Sequence, residues 1–121
     1  MKAYILTKHG KPTVLQQTEI PVPSLGPDQV CVNIECIGLN YAEIMARKGF
    51  YGWVPKMPYT LGMEAYGTIE EVGGNVSDRK VGDQVIIGTQ FGCYAEKFVG
   101  HWQATTPAIK QFTPEENAAF F

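Results

Sequence analysis

Glycine and proline interrupt this chain so often that it has no room for long regular elements. The 121 residues include 13 glycines and 8 prolines. Proline removes a backbone donor, and glycine in an element interior costs conformational entropy. The short runs between them are rich in β-branched and aromatic residues, which favour strands. The sequence therefore predicts a mainly β domain with short helices.

The strands are predicted from apolar alternation and β-branched composition. Residues 29–38 form the longest such run and should be a central strand. Residues 20–27 contain three prolines and should stay outside any strand ladder. The remaining predicted strands cover residues 2–6, 14–19, 65–72, 81–87 and 94–99.

Two short helices are predicted from spacing and capping. Residues spaced at i, i+3, i+4 and i+7 predict a helix over residues 40–48, which Gly49 should end. Glu116 follows Thr113 by three residues, the spacing of a capping box, so a second helix should begin there. The residues that set the first spacing are Tyr41, Ile44, Met45 and Lys48.

Composition and charge exclude several classes of function. Ten basic and twelve acidic residues give a net charge of −2. Because no basic cluster exceeds a pair such as Arg79-Lys80, no nucleic-acid partner is expected. The apolar runs are too short to span a membrane, and the first residues do not form a signal peptide, so we expect a cytoplasmic protein. Three cysteines, an odd count, argue against a disulfide scaffold.

Three sequence blocks carry a family resemblance. Residues 38–49 read GLNYAEIMARKG, residues 58–73 read PYTLGMEAYGTIEEVG, and residues 81–85 read VGDQV with GCYAE following at 92–96. In this order and spacing they resemble the quinone oxidoreductases and vesicle-amine-transport-like proteins of the medium-chain dehydrogenase/reductase superfamily. The resemblance covers essentially all of residues 1–121. It implies a GroES-like β-barrel domain with short helices, the substrate-side catalytic domain of that family.

The family's nucleotide-binding Rossmann domain is expected to be absent from this chain. No Gly-x-Gly-x-x-Gly motif occurs, so the phosphates of a dinucleotide should be bound beyond Phe121. The apolar end of the chain, residues 118–121, follows directly on the second helix cap. We therefore expect a chain truncated before the nucleotide-binding domain.

The resemblance also implies that the zinc of related enzymes is missing. In the zinc-dependent relatives a cysteine ligand stands at the position of Asn40 and a histidine ligand at that of Met63. An amide and a thioether are poor replacements for thiolate and imidazole. The cysteine-rich structural zinc lobe would fall between residues 87 and 94, where only Cys93 is present.

The activity implied by the resemblance is hydride transfer from NADPH to a quinone or an activated alkene. Asn40 would contact the cofactor or the substrate oxygen, and Tyr41 would lie beside it at the cofactor. Asn40 could instead serve only as the N-cap of the following helix. Tyr51 stands where relatives carry a proton-donating tyrosine, or it is an aromatic loop residue packed on the barrel.

Other residues near these positions have two interpretations each. Met45, Trp53 and Met63 would form an apolar wall for a planar substrate, although each residue taken alone is more often a core residue than a site residue. Glu64 is either a salt-bridged structural carboxylate or a catalytic base, the former being preferred. For Glu43 we expect a surface or helix-capping role.

Three functions remain open from the sequence. The first is an NADPH-dependent quinone or alkenal reductase that works without zinc, with a homodimeric full-length protein. The second is an enoyl-thioester reductase, in which Tyr51 would be essential. The third is a binding or adaptor protein that keeps the fold without turnover.

Overall fold

Strands dominate the part of the chain that this computed structural model describes, residues 1–49 and 56–119. They are β1 (Lys2–Leu6), β2 (Leu15–Glu19), β3 (Gln29–Gly38), β4 (Tyr59–Thr60), β5 (Glu64–Val72), β6 (Gln84–Gly88), β7 (Lys97–His101) and β8 (Thr105–Pro107). The helices are α1 (Tyr41–Lys48) and α2 (Pro114–Ala118), and 3-10 turns occur at Pro12–Val14 and Trp102–Ala104. The predicted mainly β fold with short helices is confirmed.

The strands form two antiparallel sheets. The smaller sheet has the order β2-β1-β4, and the larger has the order β7-β3-β5-β6-β8. A bridge between Ala3 and Ala95 connects β1 to the segment before β7. Strand β3 lies between two neighbours, as its composition predicts. Every strand pair in the described residues is antiparallel, so these residues contain no βαβ unit of a nucleotide-binding fold.

Two apolar clusters hold the sheets together. The larger lies along β3, β5 and β6, and the smaller lies where β1 and β4 meet α1. Full burial of one such side chain stabilises the fold by roughly 1.5–3 kcal/mol. This packing fixes β3 against β5, whose register ends with Gly38 opposite Glu64. The buried residues of the larger cluster include Val30, Val32, Ile69, Val85 and Ile87, and those of the smaller cluster are Leu6, Ala46, Tyr59 and Leu61.

Some predicted strand boundaries are wrong. The strand predicted at 81–87 begins at Gln84, because Gly82 adopts a positive φ of 96° and Asp83 closes a turn onto Lys80. The strand predicted at 94–99 begins at Lys97, since the Tyr94 amide bonds to the Leu61 carbonyl instead. The second strand begins one residue later than predicted, at Leu15. The sequence did not predict β4 and β8.

Helix α1 has the predicted position but buries a different face. Its buried residues are Glu43 and Ala46, whereas Tyr41 is 73% exposed and Ile44 is 41% exposed. The helix ends at Gly49, which has a left-handed φ of 88°, as expected for a C-terminal glycine. Neither helix in the described residues is long and apolar enough to cross a membrane.

Helix α2 begins as the sequence predicts. Thr113 accepts a 3.1 Å hydrogen bond from the Glu116 amide, and Glu116 accepts a 2.8 Å bond from the Thr113 amide. These two bonds form a capping box. The helix packs against β3 and β5 through its buried residues Asn117 and Ala118.

Candidate functional site

The site begins where β3 and β5 end their pairing. Gly38 lies opposite Glu64 in the ladder, and two residues later the chain reaches Asn40, the N-cap of α1. A Cβ atom on Gly38 would lie 2.5 Å from the Glu64 side chain and 2.5 Å from the Ala118 carbonyl oxygen. The glycine therefore permits a close approach that brings Glu64 beside the start of the helix.

Asn40 contacts Glu64 directly. Asn40 is the N-cap residue of α1, with φ −125° and ψ 148°, and its side-chain nitrogen donates a 3.0 Å hydrogen bond to Glu64 Oε1. Glu64 is 3% exposed. A buried carboxylate needs such donors, because its transfer out of water costs free energy that hydrogen bonds in the protein must offset. The contact with Asn40 is a hydrogen bond from a neutral amide, and it joins the N-cap of α1 to the start of β5.

Glu43 is a second buried carboxylate, and it accepts three hydrogen bonds. Its Oε1 accepts from the Asn40 backbone amide at 3.0 Å and from the Tyr94 hydroxyl, and its Oε2 accepts from the Met63 backbone amide at 2.7 Å. We call these four residues the Glu43 cluster. Glu43 is 2% exposed, so the predicted surface role is wrong. The predicted helix-capping role is confirmed, because Glu43 binds the N-cap amide.

The electrostatics of this region keep neighbouring groups protonated. Burial, and then the hydrogen bond to Glu43, raises the pKa of the Tyr94 hydroxyl. Burial, with the Glu43 and Glu64 carboxylates, raises the pKa of the Cys93 thiol to about 12. Tyr94 therefore acts as a hydrogen-bond donor at neutral pH. The Cys93 thiol is inert there, because the thiolate is the reactive form.

A cavity of about 280 Å³ opens beside these carboxylates. We call it the Asn40 cavity, and its size suits one ring rather than a whole dinucleotide. Asn40, Glu64 and Thr89 provide polar groups, while Met63 and Ala42 provide apolar surface. Its lining residues are Asn40, Ala42, Met63, Glu64, Gly88 and Thr89.

The structure brings together only some of the residues predicted for the site. Asn40 and Met63 share the Asn40 cavity, whereas Tyr41 and Met45 do not line it. Tyr41 lies exposed beside the N-cap and Met45 is half-buried in α1. The other two predicted residues, Tyr51 and Trp53, lie outside the described residues.

Sequence reasoning missed three contributors to this region. Tyr94 belongs to a block that carried the resemblance, but no role was assigned to it. Gly88 is the last residue of β6 and Thr89 follows it, and the Thr89 amide donates a 2.9 Å hydrogen bond to the Met63 carbonyl. A predicted pairing of β6 with β5 would have placed Gly88 opposite Glu64 and so indicated that Gly88 and Thr89 lie at the site.

A metal site needs several donor side chains close together. Within residues 1–49 and 56–119, no group of three or more His, Cys, Asp or Glu side chains is arranged to hold a metal ion. The three cysteines, all described, are free thiols. The amide at position 40 and the thioether at position 63 face the same cavity as Glu64.

Known proteins show clear similarity to this chain. The family model for the alcohol dehydrogenase GroES-like domain matches residues 26–110. The human synaptic vesicle membrane protein VAT-1 homolog is 34% identical over 99% of the chain, which spans 30% of that protein. The quinone oxidoreductase of Rattus norvegicus is 35% identical over 98% of the chain, which spans 37% of it.

A solved structure gives the same result. The Escherichia coli quinone oxidoreductase complexed with NADPH matches 100% of the chain with a TM-score of 0.93 and 29% identity. The chain covers 37% of that protein. The similarity therefore includes every element described above and corresponds to about a third of the relative's length.

Proposed function

Because the chain belongs to the family of alcohol dehydrogenase GroES-like domains, in the quinone-oxidoreductase-like branch of the medium-chain dehydrogenase/reductase superfamily, we propose that it forms the substrate side of an NADPH-dependent reductase. The proposed substrates are quinones or alkenals, reduced without zinc. The relatives named quinone oxidoreductase support this substrate class. The chain spans about a third of the length of these relatives.

The observation that carries the proposal is the bond between Asn40 and Glu64 at the Asn40 cavity. It uses one of the two N–H donors of the amide and leaves the second for a ligand oxygen. Glu64 thereby holds the amide in one orientation. A quinone or activated alkene is electron-poor, so it needs positioning and a polar contact rather than a Lewis acid.

The residues present fit one end of the cofactor rather than all of it. The Asn40 cavity, at about 280 Å³, accommodates a ring. The Glu43 carboxylate already accepts the hydrogen bond of the Asn40 backbone amide at the start of α1. Its negative charge would also repel a phosphate placed there. Asn40 and Tyr41 would contact the nicotinamide end of NADPH, which supplies the hydride when bound. The phosphates would be held by another domain.

The residues proposed to bind the substrate are apolar or aromatic. Met63 lines the Asn40 cavity, and Met45 and Trp53 would extend its apolar wall. Tyr51 would donate a proton or a hydrogen bond to the reduced oxygen. A cytoplasmic location and a homodimeric full-length protein complete the proposal.

A chimera tests the reductase directly. The chain replaces the matching segment of the Escherichia coli quinone oxidoreductase, which makes up 37% of that protein and aligns with 100% of this chain. We expect NADPH oxidation with 1,4-naphthoquinone or an alkenal, and at least a tenfold lower turnover after Asn40→Ala. If only N-capping were lost, stability would fall by about 1 kcal/mol and turnover would stay within twofold. A folded, NADPH-binding chimera without activity would contradict the proposal.

The same chimera separates the alternatives. Loss of enoyl-thioester reduction with normal quinone reduction in Tyr51→Phe would favour an enoyl-thioester reductase. A chimera that binds NADPH and turns over none of these substrates would favour a binding or adaptor role.

The isolated chain tests where the cofactor binds. We expect calorimetric titration of the 121-residue chain with NADPH to show no micromolar binding, because the described residues offer a ring-sized cavity and no βαβ phosphate site. Micromolar binding to the chain alone would contradict the division of the cofactor between two domains.

A further inference from the structure

Two segments that are distant in sequence meet at the C-terminal end of α1. The Gly10 amide donates a 2.8 Å hydrogen bond to the Arg47 carbonyl oxygen. A Cβ atom on Gly49 would lie 3.0 Å from Cγ of the His9 ring. The connection between β1 and β2 therefore packs on the last turn of the helix. This contact brings two short runs of basic residues together.

The joined surface carries four positive charges. We call it the Lys8 patch, and its cations are Lys8, Lys11, Arg47 and Lys48. The three lysines are exposed, whereas Arg47 is half-buried and contributes its charge rather than a direct contact. Within residues 1–49 and 56–119, none of the four forms an ion pair with a carboxylate. Their charge is therefore not neutralised by a neighbour in that part of the chain.

The rest of the chain has the opposite charge. The whole chain has ten basic and twelve acidic residues, which give a net charge of −2. Without the cations of the Lys8 patch, six basic and twelve acidic residues remain, a net charge of −6. Segments 7–14 and 45–49, which form the patch, contain no aspartate or glutamate. Charge of one sign gathered at one place indicates attraction to an anionic partner.

Helix stability explains only part of this arrangement. Cations in the last turn of a helix complement its dipole, and Arg47 and Lys48 stand there in α1. Lys8 and Lys11 come from a separate segment, and neither lysine side chain forms a hydrogen bond within the described residues. Helix capping therefore leaves half of the charge of the patch unexplained.

The composition of the patch favours a lipid surface over a protein or a nucleic acid. A protein interface needs apolar or aromatic anchors, and segments 7–14 and 45–49 present no large exposed apolar side chain. Nucleic-acid-binding domains usually have a pI above about 9, whereas the pI of this chain is about 5.6. An anionic bilayer attracts a cluster of about four to eight cations without any anchor. A flat surface also touches the chain only at the patch, which leaves the acidic remainder in solution.

We propose that the Lys8 patch holds the chain reversibly at the surface of a bilayer that contains anionic phospholipids. The attraction acts between the patch and the lipid headgroups, and it requires no segment in the hydrocarbon layer. It needs neither the Asn40 cavity nor the reduction proposed above, so its failure would leave the proposed function untouched.

Vesicle co-sedimentation of the 121-residue chain tests the attraction. One set of vesicles contains phosphatidylcholine with about 30 mol% phosphatidylserine, and vesicles of pure phosphatidylcholine are the neutral reference. At low ionic strength we expect at least about tenfold stronger binding to the anionic vesicles. The difference should disappear near 1 M salt, where the screening length falls to about 3 Å. Equal binding to both kinds of vesicle would overturn the proposal.

Two charge-matched double variants locate the binding surface. Lys8→Gln with Lys11→Gln removes two charges from the patch. Lys80→Gln with Lys110→Gln removes two exposed charges from the turn before β6 and the loop after β8. Each cation lost from the patch should weaken binding by about 5-fold, which corresponds to about 1 kcal/mol. The patch variant should therefore bind about 25-fold more weakly, and the control within about twofold of the wild type. Equal weakening in the two variants would refute the patch as the site.

The other partner classes are compared in the same buffer. Short duplex DNA and poly-glutamate are titrated at the same concentration of negative charge as the anionic vesicles. We expect the vesicles to bind most tightly. Tighter binding of the duplex would assign the patch to a nucleic acid, and tighter binding of poly-glutamate would assign it to an acidic protein. Either result would overturn the proposal of a lipid surface.

Discussion

The side-chain nitrogen of Asn40 lies 3.0 Å from Glu64 Oε1 and donates a hydrogen bond to it. Glu64 is 3% exposed, so water replaces a lost donor poorly. We expect Asn40→Ala to lower the free energy of unfolding by about 1–3 kcal/mol, measured by urea denaturation. Asn75→Ala, in an exposed turn, is the control and should change it by less than about 0.5 kcal/mol. Equal losses in the two variants would contradict a structural role for this bond.

The Glu43 cluster gives a second prediction. In Glu43→Gln an NH₂ group replaces one of two oxygens that both accept hydrogen bonds. At least one donor then faces another donor, and we expect a loss of about 1–3 kcal/mol in urea denaturation. Glu35→Gln, exposed on β3, should leave stability within about 0.5 kcal/mol. A Glu43→Gln variant as stable as Glu35→Gln would mean that the three donors find other acceptors.

Glycine 38 is predicted to tolerate no side chain. Gly38→Ala places a Cβ 2.5 Å from both Glu64 and the Ala118 carbonyl, and one of these neighbours is backbone. We expect a loss of about 1–3 kcal/mol, as for an overpacked core. Gly74→Ala is the matched control, because nothing lies within 4 Å of its added Cβ. Thermal melts of the two variants should differ clearly, and equal melting temperatures would contradict the close packing at Gly38.

Alkaline pH should destabilise the chain through its buried thiols. Burial raises the pKa of Cys31 to about 11 and that of Cys93 to about 12, from an ordinary 9.0. Above pH 9.0 the unfolded chain releases protons that the folded chain retains. The stability contributed by these groups is therefore complete below that pH and declines as pH rises through the interval up to the folded values.

The decline can be measured in reducing buffer. Between pH 9.0 and the folded-state pKa of a thiol, the proton that this thiol retains lowers the free energy of unfolding by about 1.4 kcal/mol per pH unit. We expect urea midpoints to be constant near neutral pH and to fall above about pH 9. In Cys93→Ala the fall should be less steep, because one of the retained protons is absent. A slope unchanged by this substitution would show that Cys93 does not titrate as proposed.

Zinc content provides a fifth prediction. The wild-type chain should purify without stoichiometric zinc, because positions 40 and 63 offer an amide and a thioether beside Glu64. The double variant Asn40→Cys, Met63→His restores thiolate and imidazole at the same cavity and should gain zinc. Elemental analysis of both after dialysis against a chelator decides the matter. One chelator-resistant zinc per wild-type chain would contradict the zinc-free mechanism.

The sequence predicted the elements better than their burial. Strand β3 has the bounds that its β-branched run indicates, and α1 has the helical period of residues 40–48. The sequence did not predict which side of α1 is buried. Spacing identifies residues that share a face of a helix, but it does not show which face packs against the sheet. Hydropathy predicts that the Glu43 side chain is exposed to solvent. Its partners Met63 and Tyr94 lie 20 and 51 residues away in sequence, so only the folded chain reveals them.

The candidate site was accessible to sequence reasoning only in part. The resemblance singled out Asn40 and Met63, and the structure places both at one cavity. Strand β4 has two residues, too few for any periodicity to register.

The hydrogen bonds from positions 40 and 63 to Glu43 come from the backbone, and every residue except proline has that N–H group. These two bonds therefore do not depend on which side chains stand at positions 40 and 63, in contrast to the bond from the Asn40 side chain to Glu64. A cysteine at position 40 and a histidine at position 63 would keep the backbone donors that anchor Glu43 and would change only the groups that face the cavity.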